Sequence, residues 1–375
     1  MESVKTVLVT GANGFAGRNL TVSLGTLYKD MEIIEYDVDS DAGSFESCVL
    51  KADFIFHLAG VNRPKDESEF STGNAELTER LCGILKKGGK SIPVLFCSST
   101  QATLDNAYGR SKKSAEDALF AYGRDTGARV YVYRLPNLFG KWSRPNYNSA
   151  VATFCYNIAR GLPIQVNDPE YVLTLAYIDD VVNEFLSAMN GKANLLDDGF
   201  SAVSTFYTVK LGEVAEKIRS FADNRSTLVM PSLKDDFDRK LYGTFLSYLE
   251  TDNFGYELDM KFDNRGWLAE FIKTESAGQI FISRTKPGIT RGNHWHHTKV
   301  EKFLVIDGDA VIRFRKIGSD EIIEYPVSGN QLKVLDIPAG YTHSIVNAGD
   351  RDVITLFWAC EIFDPKKPDT YYEEI

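Results

Sequence analysis

Thr10-Gly11-Ala12-Asn13-Gly14-Phe15-Ala16-Gly17 decides how the first half of this chain reads. The run Val4 to Val9 before it is apolar, as a buried strand requires, and Gly17 to Tyr28 after it carries a helical pattern. Three glycines between a strand and a helix permit a tight turn and a close approach of backbone to ligand, while the helix N-terminus presents unpaired N–H groups to an anion. Gly11, Asn13, Gly14, Phe15 and Gly17 therefore predict a cradle for the pyrophosphate of a dinucleotide.

Working outward, short apolar runs alternate with helical stretches. Glu32 to Tyr36, Phe54 to Ala59, Val94 to Cys97 and Val130 to Leu135 read as strands, and Tyr108 to Thr126 as a helix. That alternation predicts an α/β Rossmann-type, doubly wound parallel sheet. From about Lys261 the texture changes to short β-rich runs such as Gln279 to Arg284, Phe303 to Ile306 and Ala310 to Phe314, which predict an antiparallel barrel or sandwich. Periodicity weakens over Ser247 to Leu258, so we divide the chain into domains 1–246 and 247–375.

Composition bounds the function. A chain of 375 residues exceeds one ordinary core, and 43% hydrophobic residues suffice to bury two. With 42 basic against 52 acidic residues the net charge is −10, which argues against nucleic acid or an anionic membrane as partner. Cys48, Cys82, Cys97, Cys155 and Cys360 are odd in number and form no CxxC pair, so they read as reduced core residues. The apolar run near the amino terminus is too short for a signal segment, and no later run approaches a membrane span; a cytoplasmic protein is expected.

Three features of the first half resemble the extended short-chain dehydrogenase/reductase family: the TGxxGxxG loop, His57-Leu58-Ala59-Gly60 at a strand end, and Tyr108 with Lys112 four residues on. The resemblance implies that Leu58 and Ala59 line the cofactor. One helical turn places Tyr108 and Lys112 on one face. The lysine is then expected to lower the tyrosine pKa and orient the nicotinamide ribose, while the phenol passes a proton to a ketone. Within Ser98-Ser99-Thr100 the family analogy points to Ser99, with Thr100 second, to polarise the carbonyl. Asp37, after the second strand, can accept from a ribose 2′-hydroxyl and so favours NADH, whereas the resemblance implies NADPH; both stay open.

Arg134-Leu135-Pro136-Asn137-Leu138-Phe139-Gly140 and Tyr177-Ile178-Asp179-Asp180-Val181 resemble stretches of nucleotide-sugar-modifying members of that family, in which the position of Asn137 reaches the substrate diphosphate.

In the β-rich half, Gly288, His294-Trp295-His296, Glu301 and Gly308 match the first cupin motif, and Pro338-Ala339-Gly340-Tyr341-Thr342-His343 with Asn347 resembles the second, except that Leu332 stands where a glycine is usual. Alternation along a strand would turn His294 and His296 to one face. His294, His296, Glu301 and His343 are then metal ligands; Zn²⁺, Fe²⁺, Mn²⁺ and Ni²⁺ all suit three imidazoles and a carboxylate. Asp263 to Glu270 resembles a segment of cupin sugar-nucleotide 3,5-epimerases, which implies that Arg265 binds diphosphate and Glu270 the nucleobase.

The two halves together, with Tyr147-Asn148-Ser149 and Asn293 to Lys299, resemble the bifunctional capsular-polysaccharide enzymes of UDP-N-acetyl-L-fucosamine biosynthesis over the whole chain. That resemblance implies a cupin, of double-stranded β-helix or jelly-roll form, that holds zinc and epimerises C3 of UDP-2-acetamido-2,6-dideoxy-4-hexulose. It further implies a reductase that delivers hydride to C4, giving UDP-2-acetamido-2,6-dideoxy-β-L-talose, and a homodimer. Lys302, Tyr341 and His297 are candidate bases for the cupin. The competing expectations are a monofunctional nucleotide-sugar 4-ketoreductase whose cupin is non-catalytic, binding sugar or dimerising, an Fe²⁺ dioxygenase cupin, and a scaffold without activity.

Overall fold

The computed structural model describes residues 4–258, 261–263, 266–268, 272, 278–361 and 366–375. The chain divides into two compact units, 1–149 with 173–208, and 150–172 with 209–375.

In the first unit, β1 (Thr6–Thr10), α1 (Phe15–Leu27), β2 (Glu32–Tyr36), α2 (Phe45–Lys51) and β3 (Phe54–His57) alternate as the sequence predicts. A short helix α3 (Ser68–Phe70), a π-helical turn over Ser71–Glu76 and α4 (Leu77–Lys87) follow, then β4 (Val94–Ser99), α5 (Ala107–Thr126), β5 (Val130–Leu135) and β6 (Asn137–Phe139). β1 to β5 form one parallel sheet in the order β2-β1-β3-β4-β5. The order reverses between β1 and β3, and in open parallel sheets ligands bind outside the carboxyl ends of the strands at such a point.

One face of this sheet carries Leu8, Ile55, Val94, Phe96 and Val132. They pack on Phe45 and Val49 of α2, Leu81 and Leu85 of α4, and Leu119 and Tyr122 of α5, all fully or almost fully buried. Short strands buried on the sheet explain why their sequences are nearly continuous apolar runs. The chain passes through α6 (Ala150–Ala159), which belongs to the second unit, and returns as β7 (Val172–Tyr177), parallel to β6, and α7 (Ile178–Met189). β8 (Tyr207–Lys210) extends that small sheet.

The second unit adds α8 (Leu211–Thr227) and α9 (Asp236–Leu246) to α6, then β9 (Gly255–Glu257) and the hairpin β10 (Lys261–Asp263) and β11 (Gly266–Leu268). Nine further strands follow: β12 (Gln279–Thr285), β13 (Thr290–Trp295), β14 (Glu301–Asp307), β15 (Asp309–Lys316), β16 (Ile322–Ser328), β17 (Lys333–Ile337), β18 (Tyr341–Asn347), β19 (Val353–Ala359) and β20 (Tyr371–Tyr372). Together with β9 they form two five-stranded sheets, β12-β19-β14-β17-β9 and β16-β15-β18-β13-β20, whose pairings are antiparallel. This antiparallel all-β architecture is consistent with a cupin jelly roll.

Inside the second unit, Asp336 of β17 is fully buried and bonds Lys302 of β14 and Arg225 of α8. Tyr256 accepts from Lys302 at 3.1 Å. Burial alone would push the Lys302 ammonium down; Asp336 overrides it and holds the group charged. Among the described residues, no helix is long and apolar enough to cross a membrane.

Candidate functional sites

The glycine loop joins β1 to α1 at the carboxyl edge of the sheet. Gly11 sits at φ +71°, and a Cβ there would lie 2.7 Å from the Ala59 backbone nitrogen, so only glycine fits between β1 and the end of β3. Gly14 is the N-cap of α1 and makes no side-chain cap, while Gly17 is buried in the first turn. Leu58 N donates to Thr10 O at 3.1 Å and Ala59 N to Thr10 Oγ1 at 3.3 Å, which brings Leu58 and Ala59 beside the loop. Asp37 accepts from Asn13 N at 2.7 Å and from Val38 N at 2.7 Å, so the end of β2 and the loop form one surface. His57 is a core histidine: it bonds Thr10 and Thr78, and burial followed by Lys112 pushes it down to about 3.

β4 and α5 supply the next group. Asn106 caps α5 by accepting from Gly109 N at 2.8 Å, which starts the helix just before Tyr108. The Ser99 hydroxyl accepts from Gln101 N at 3.2 Å and lies near enough to the Tyr108 phenol to influence it, while Ser98 is spent on the buried Glu116 carboxylate at 2.6 Å. The structure thus brings Ser99, Tyr108 and Lys112 together at one strand end.

Their electrostatics differ from expectation. Burial, then Cys97, push the Tyr108 phenol up to about 12 against the opposing influence of Ser99. Lys112, itself lowered chiefly by burial, turns its ammonium to the Cys97 carbonyl at 3.0 Å. Burial of the phenol, not the charge of Lys112, dominates the tyrosine. Tyr108 is consequently protonated at neutral pH, the form a proton donor needs.

Sequence reasoning missed Asn74, which is 1% exposed in the π-helical turn. Its amide donates to Val61 O and Ser111 Oγ, both at 3.0 Å, and its oxygen accepts from Val61 N at 2.9 Å. Asn74 thereby ties the loop after β3 to the helix carrying Tyr108 and Lys112. A polar six-residue stretch without periodicity gave no signal for it, although π-turns recur at functional sites.

On the substrate side Asn137 is exposed at the start of β6. Arg134 is instead structural, held by Glu116 at 2.8 and 2.5 Å and stacked on Phe200. Asp179 clamps the buried Lys141 at 2.6 and 2.8 Å. Arg265 and Glu270 lie outside the described residues.

In the second unit, one ligand atom from each of His294, His296, Glu301 and His343 lies within 4.8 Å of the others. Glu301 Oε2 is 3.4 Å from His296 Nε2 and 3.5 Å from His343 Nε2, and both nitrogens are buried without a well-formed hydrogen bond. Buried polar atoms are rarely left so. Burial and the neighbouring imidazoles push His294 down to about 3, and burial lowers His343, whereas His296 and His343 hold Glu301 well below the carboxylate range despite its own burial. Three imidazoles around an anionic carboxylate are the donor set a divalent metal requires, so the residues fit the ion.

Local geometry refines the strand picture. A bulge in β13 separates Gly292 from His294, with Asn293 at φ +55°, and His296 lies one residue past the strand. The bulge re-aims the first histidine. His296 Nδ1 bonds the Asp369 carbonyl, while the Asp369 carboxylate accepts from His297 N at 2.8 Å and from Thr298 N and Lys299 N, each at 2.7 Å. An outer partner on the second ring nitrogen fixes which nitrogen faces a metal. Asp369 was missed because it lies 73 residues from His296.

A cavity of about 340 Å³ takes in His294 and Glu301 together with Phe281, Phe303, Phe357, Arg291, Lys299 and Glu361. None of the expected bases lines it. Lys302 faces Asp336, Tyr341 packs edge-on against Phe254 at 5.0 Å, and His297 lies between Trp295 and Tyr371. The ionisable groups that do line it, apart from His294 and Glu301, are Arg291, Lys299 and Glu361; burial, then Asp369, push Glu361 up.

Comparison with known proteins agrees with both units. Residues 7–198 match the NAD dependent epimerase/dehydratase family and residues 261–371 the polysaccharide biosynthesis C-terminal domain. The chain is 46% identical over 366 residues, 97% of each chain, to UDP-2-acetamido-2,6-beta-L-arabino-hexul-4-ose reductase of Pseudomonas aeruginosa. It is 49% identical to the capsular polysaccharide assembling protein CapF of Staphylococcus aureus in its crystal structure, with a TM-score of 0.69, covering 98% of this chain and 100% of that one. A likeness of fold alone links it to the Bordetella bronchiseptica enzyme WbmF in complex with NAD⁺, at 17% identity and a TM-score of 0.51, over 59% of this chain and 79% of that one. By the match over more than half its length and by its near full-length relatives, the chain belongs to the NAD dependent epimerase/dehydratase family, with a polysaccharide biosynthesis C-terminal domain attached.

Proposed function

We propose that the chain is a bifunctional nucleotide-sugar enzyme of capsule or O-antigen polysaccharide biosynthesis, a cytoplasmic homodimer. Residues 247–375 would epimerise C3 of UDP-2-acetamido-2,6-dideoxy-4-hexulose, and residues 1–246 would reduce its C4 ketone to UDP-2-acetamido-2,6-dideoxy-β-L-talose. The observation that carries this reading is Ser99, Tyr108 and Lys112 gathered at the carboxyl end of β4, in the sheet that carries the glycine loop, in a chain 46% identical to a protein named as a hexul-4-ose reductase.

A bound nicotinamide dinucleotide supplies hydride. Tyr108 passes its proton to the C4 oxygen, Ser99 polarises that oxygen, and Lys112 orients the ribose through its ammonium. Asn137 and, outside the described residues, Arg265 and Glu270 are the proposed contacts to the UDP portion. In the second unit, His294, His296, Glu301 and His343 would hold a divalent metal, zinc first, which supplies positive charge where an enolate develops. Glu361, which lines the cavity with its carboxyl raised by burial and by Asp369, would exchange the C3 proton. The ketone acidifies that proton, so epimerisation precedes reduction.

Incubation with the 4-keto-sugar in D₂O without nicotinamide tests the second activity: NMR should show deuterium at C3. An unlabelled sugar, with ketone reduction intact once NADH or NADPH is added, would leave a 4-ketoreductase whose cupin only binds or dimerises.

A further inference from the structure

Among the described residues two cations line the cavity of the second unit, Arg291 and Lys299. We propose that Lys299 is a catalytic residue of the C3 epimerisation, donating a hydrogen bond from its ammonium to the C4 oxygen as that oxygen becomes an enolate, with Asp369 and Thr370 as its positioning residues. The inference rests on the epimerase reading of this unit and adds a donor to it.

Glu301 divides its carboxylate. Its Oε2 faces His296 and His343 at 3.4 and 3.5 Å, and its Oε1 lies 3.3 Å from Lys299 Nζ, so the ammonium stands one carboxylate away from the imidazoles. An ammonium carries three N–H donors. Among the described residues the Lys299 side chain makes one hydrogen bond, to Thr370 Oγ1 at 3.2 Å, which leaves donor capacity for a ligand. Arg291 is tied to its own edge instead: Nε donates to Thr285 Oγ1 and Nη2 to Arg284 O, each at 3.1 Å. Phe281, Phe303 and Phe357 supply an apolar wall, with Phe281 stacked on Phe357 at 4.6 Å. Beside such a wall a fixed charge acts more strongly on a developing anion than it does in water.

The carboxyl-terminal segment holds Lys299 in place before substrate arrives. Asp369 accepts from Thr298 N and Lys299 N, and from Thr298 Oγ1 at 2.8 Å, which fixes the turn between β13 and β14. Thr370 fixes the side chain, and β20 pairs onto β13 through Tyr371 and Tyr372, which keeps the segment docked. A donor held in this way needs no rearrangement as charge develops. In the step itself Glu361 takes the C3 proton, the electron pair of the C3–H bond becomes the C3–C4 double bond, and the C4 oxygen takes up the charge beside Lys299. Water returns a proton to the opposite face of C3, and the hydroxide left behind recovers one from Glu361. Lys299 keeps its proton throughout.

Two readouts on the full chain test the role: deuterium entering C3 of UDP-2-acetamido-2,6-dideoxy-4-hexulose in D₂O without nicotinamide, followed by NMR, and zinc content, read by mass spectrometry of the metal. Lys299→Met should keep the zinc content of the unaltered chain and label roughly a hundredfold more slowly. Methylammonium added to that variant should restore part of the rate and saturate. Thr370→Val exchanges a hydroxyl for a methyl; it should slow labelling about tenfold at saturating sugar, with KM and zinc content little changed. Should Lys299→Met fail to fold, Thr370→Val decides, and an unchanged rate there would overturn the inference. Labelling by Lys299→Met at the unaltered rate would remove the donor role and leave the epimerase standing. Labelling lost together with zinc, and not restored by the amine, would also overturn it, since Lys299 would then serve only to hold Glu301. No labelling by the unaltered chain would overturn the epimerase reading and the donor with it.

Discussion

At the scale of single residues Tyr108, the proposed proton donor, carries the clearest expectation. With its pKa raised to about 12, Tyr108 stays protonated as pH rises through the range where a lysine-activated phenol would ionise. The rate of ketone reduction in single turnovers should therefore hold level from neutrality to mildly alkaline pH, and Tyr108→Phe should lower it by about a hundredfold or more. A rate that fell with an inflection near neutral pH would contradict the protonated donor. Ser99, Tyr108 and Lys112 were legible in sequence because one helical turn and one strand end bring them together. The pKa shifts of Tyr108 and Lys112 were not, since these depend on burial first and on the neighbouring Cys97, which no local pattern encodes.

At the scale of elements, strands and helices followed their periodicities closely, and the departures are instructive. The π-turn over Ser71–Glu76 and the β13 bulge each insert a residue into a regular ladder, and both occur at a candidate site. Period counting misses such insertions because a single extra residue leaves the flanking pattern intact. Gly292 makes the bulge feasible: its φ is +95°, and a Cβ would lie 2.9 Å from His343 O. Gly292→Ala should cost about 1–3 kcal/mol in a thermal melt. It should also reduce bound zinc, read by mass spectrometry of the metal, because β13 and β18 would move apart where His294 and His343 meet.

At the scale of the whole molecule, the change from alternating α/β texture to short β runs correctly announced two architectures in one chain. Less legible was the ion cluster of Arg225, Lys302 and Asp336, drawn from α8, β14 and β17. In sequence each is an ordinary charged residue; burial makes them interdependent. Asp336→Asn should destabilise the second unit by about 3–5 kcal/mol, because it leaves Lys302 buried without its anion. Calorimetric unfolding checks this, and a change below about 1 kcal/mol would show that the cluster is not needed for stability.

The bond from His296 to the Asp369 carbonyl also sets an order of events during synthesis. His296 leaves the ribosome 73 residues before its orienting partner, and the turn at 297–299 waits for the same aspartate. The first unit can fold while this half of the chain is still being made. The candidate metal site cannot. A nascent chain stalled short of residue 369 would carry all four candidate ligands and still lack the orientation that makes them a site, so loading of a metal there would wait for residue 369 to emerge.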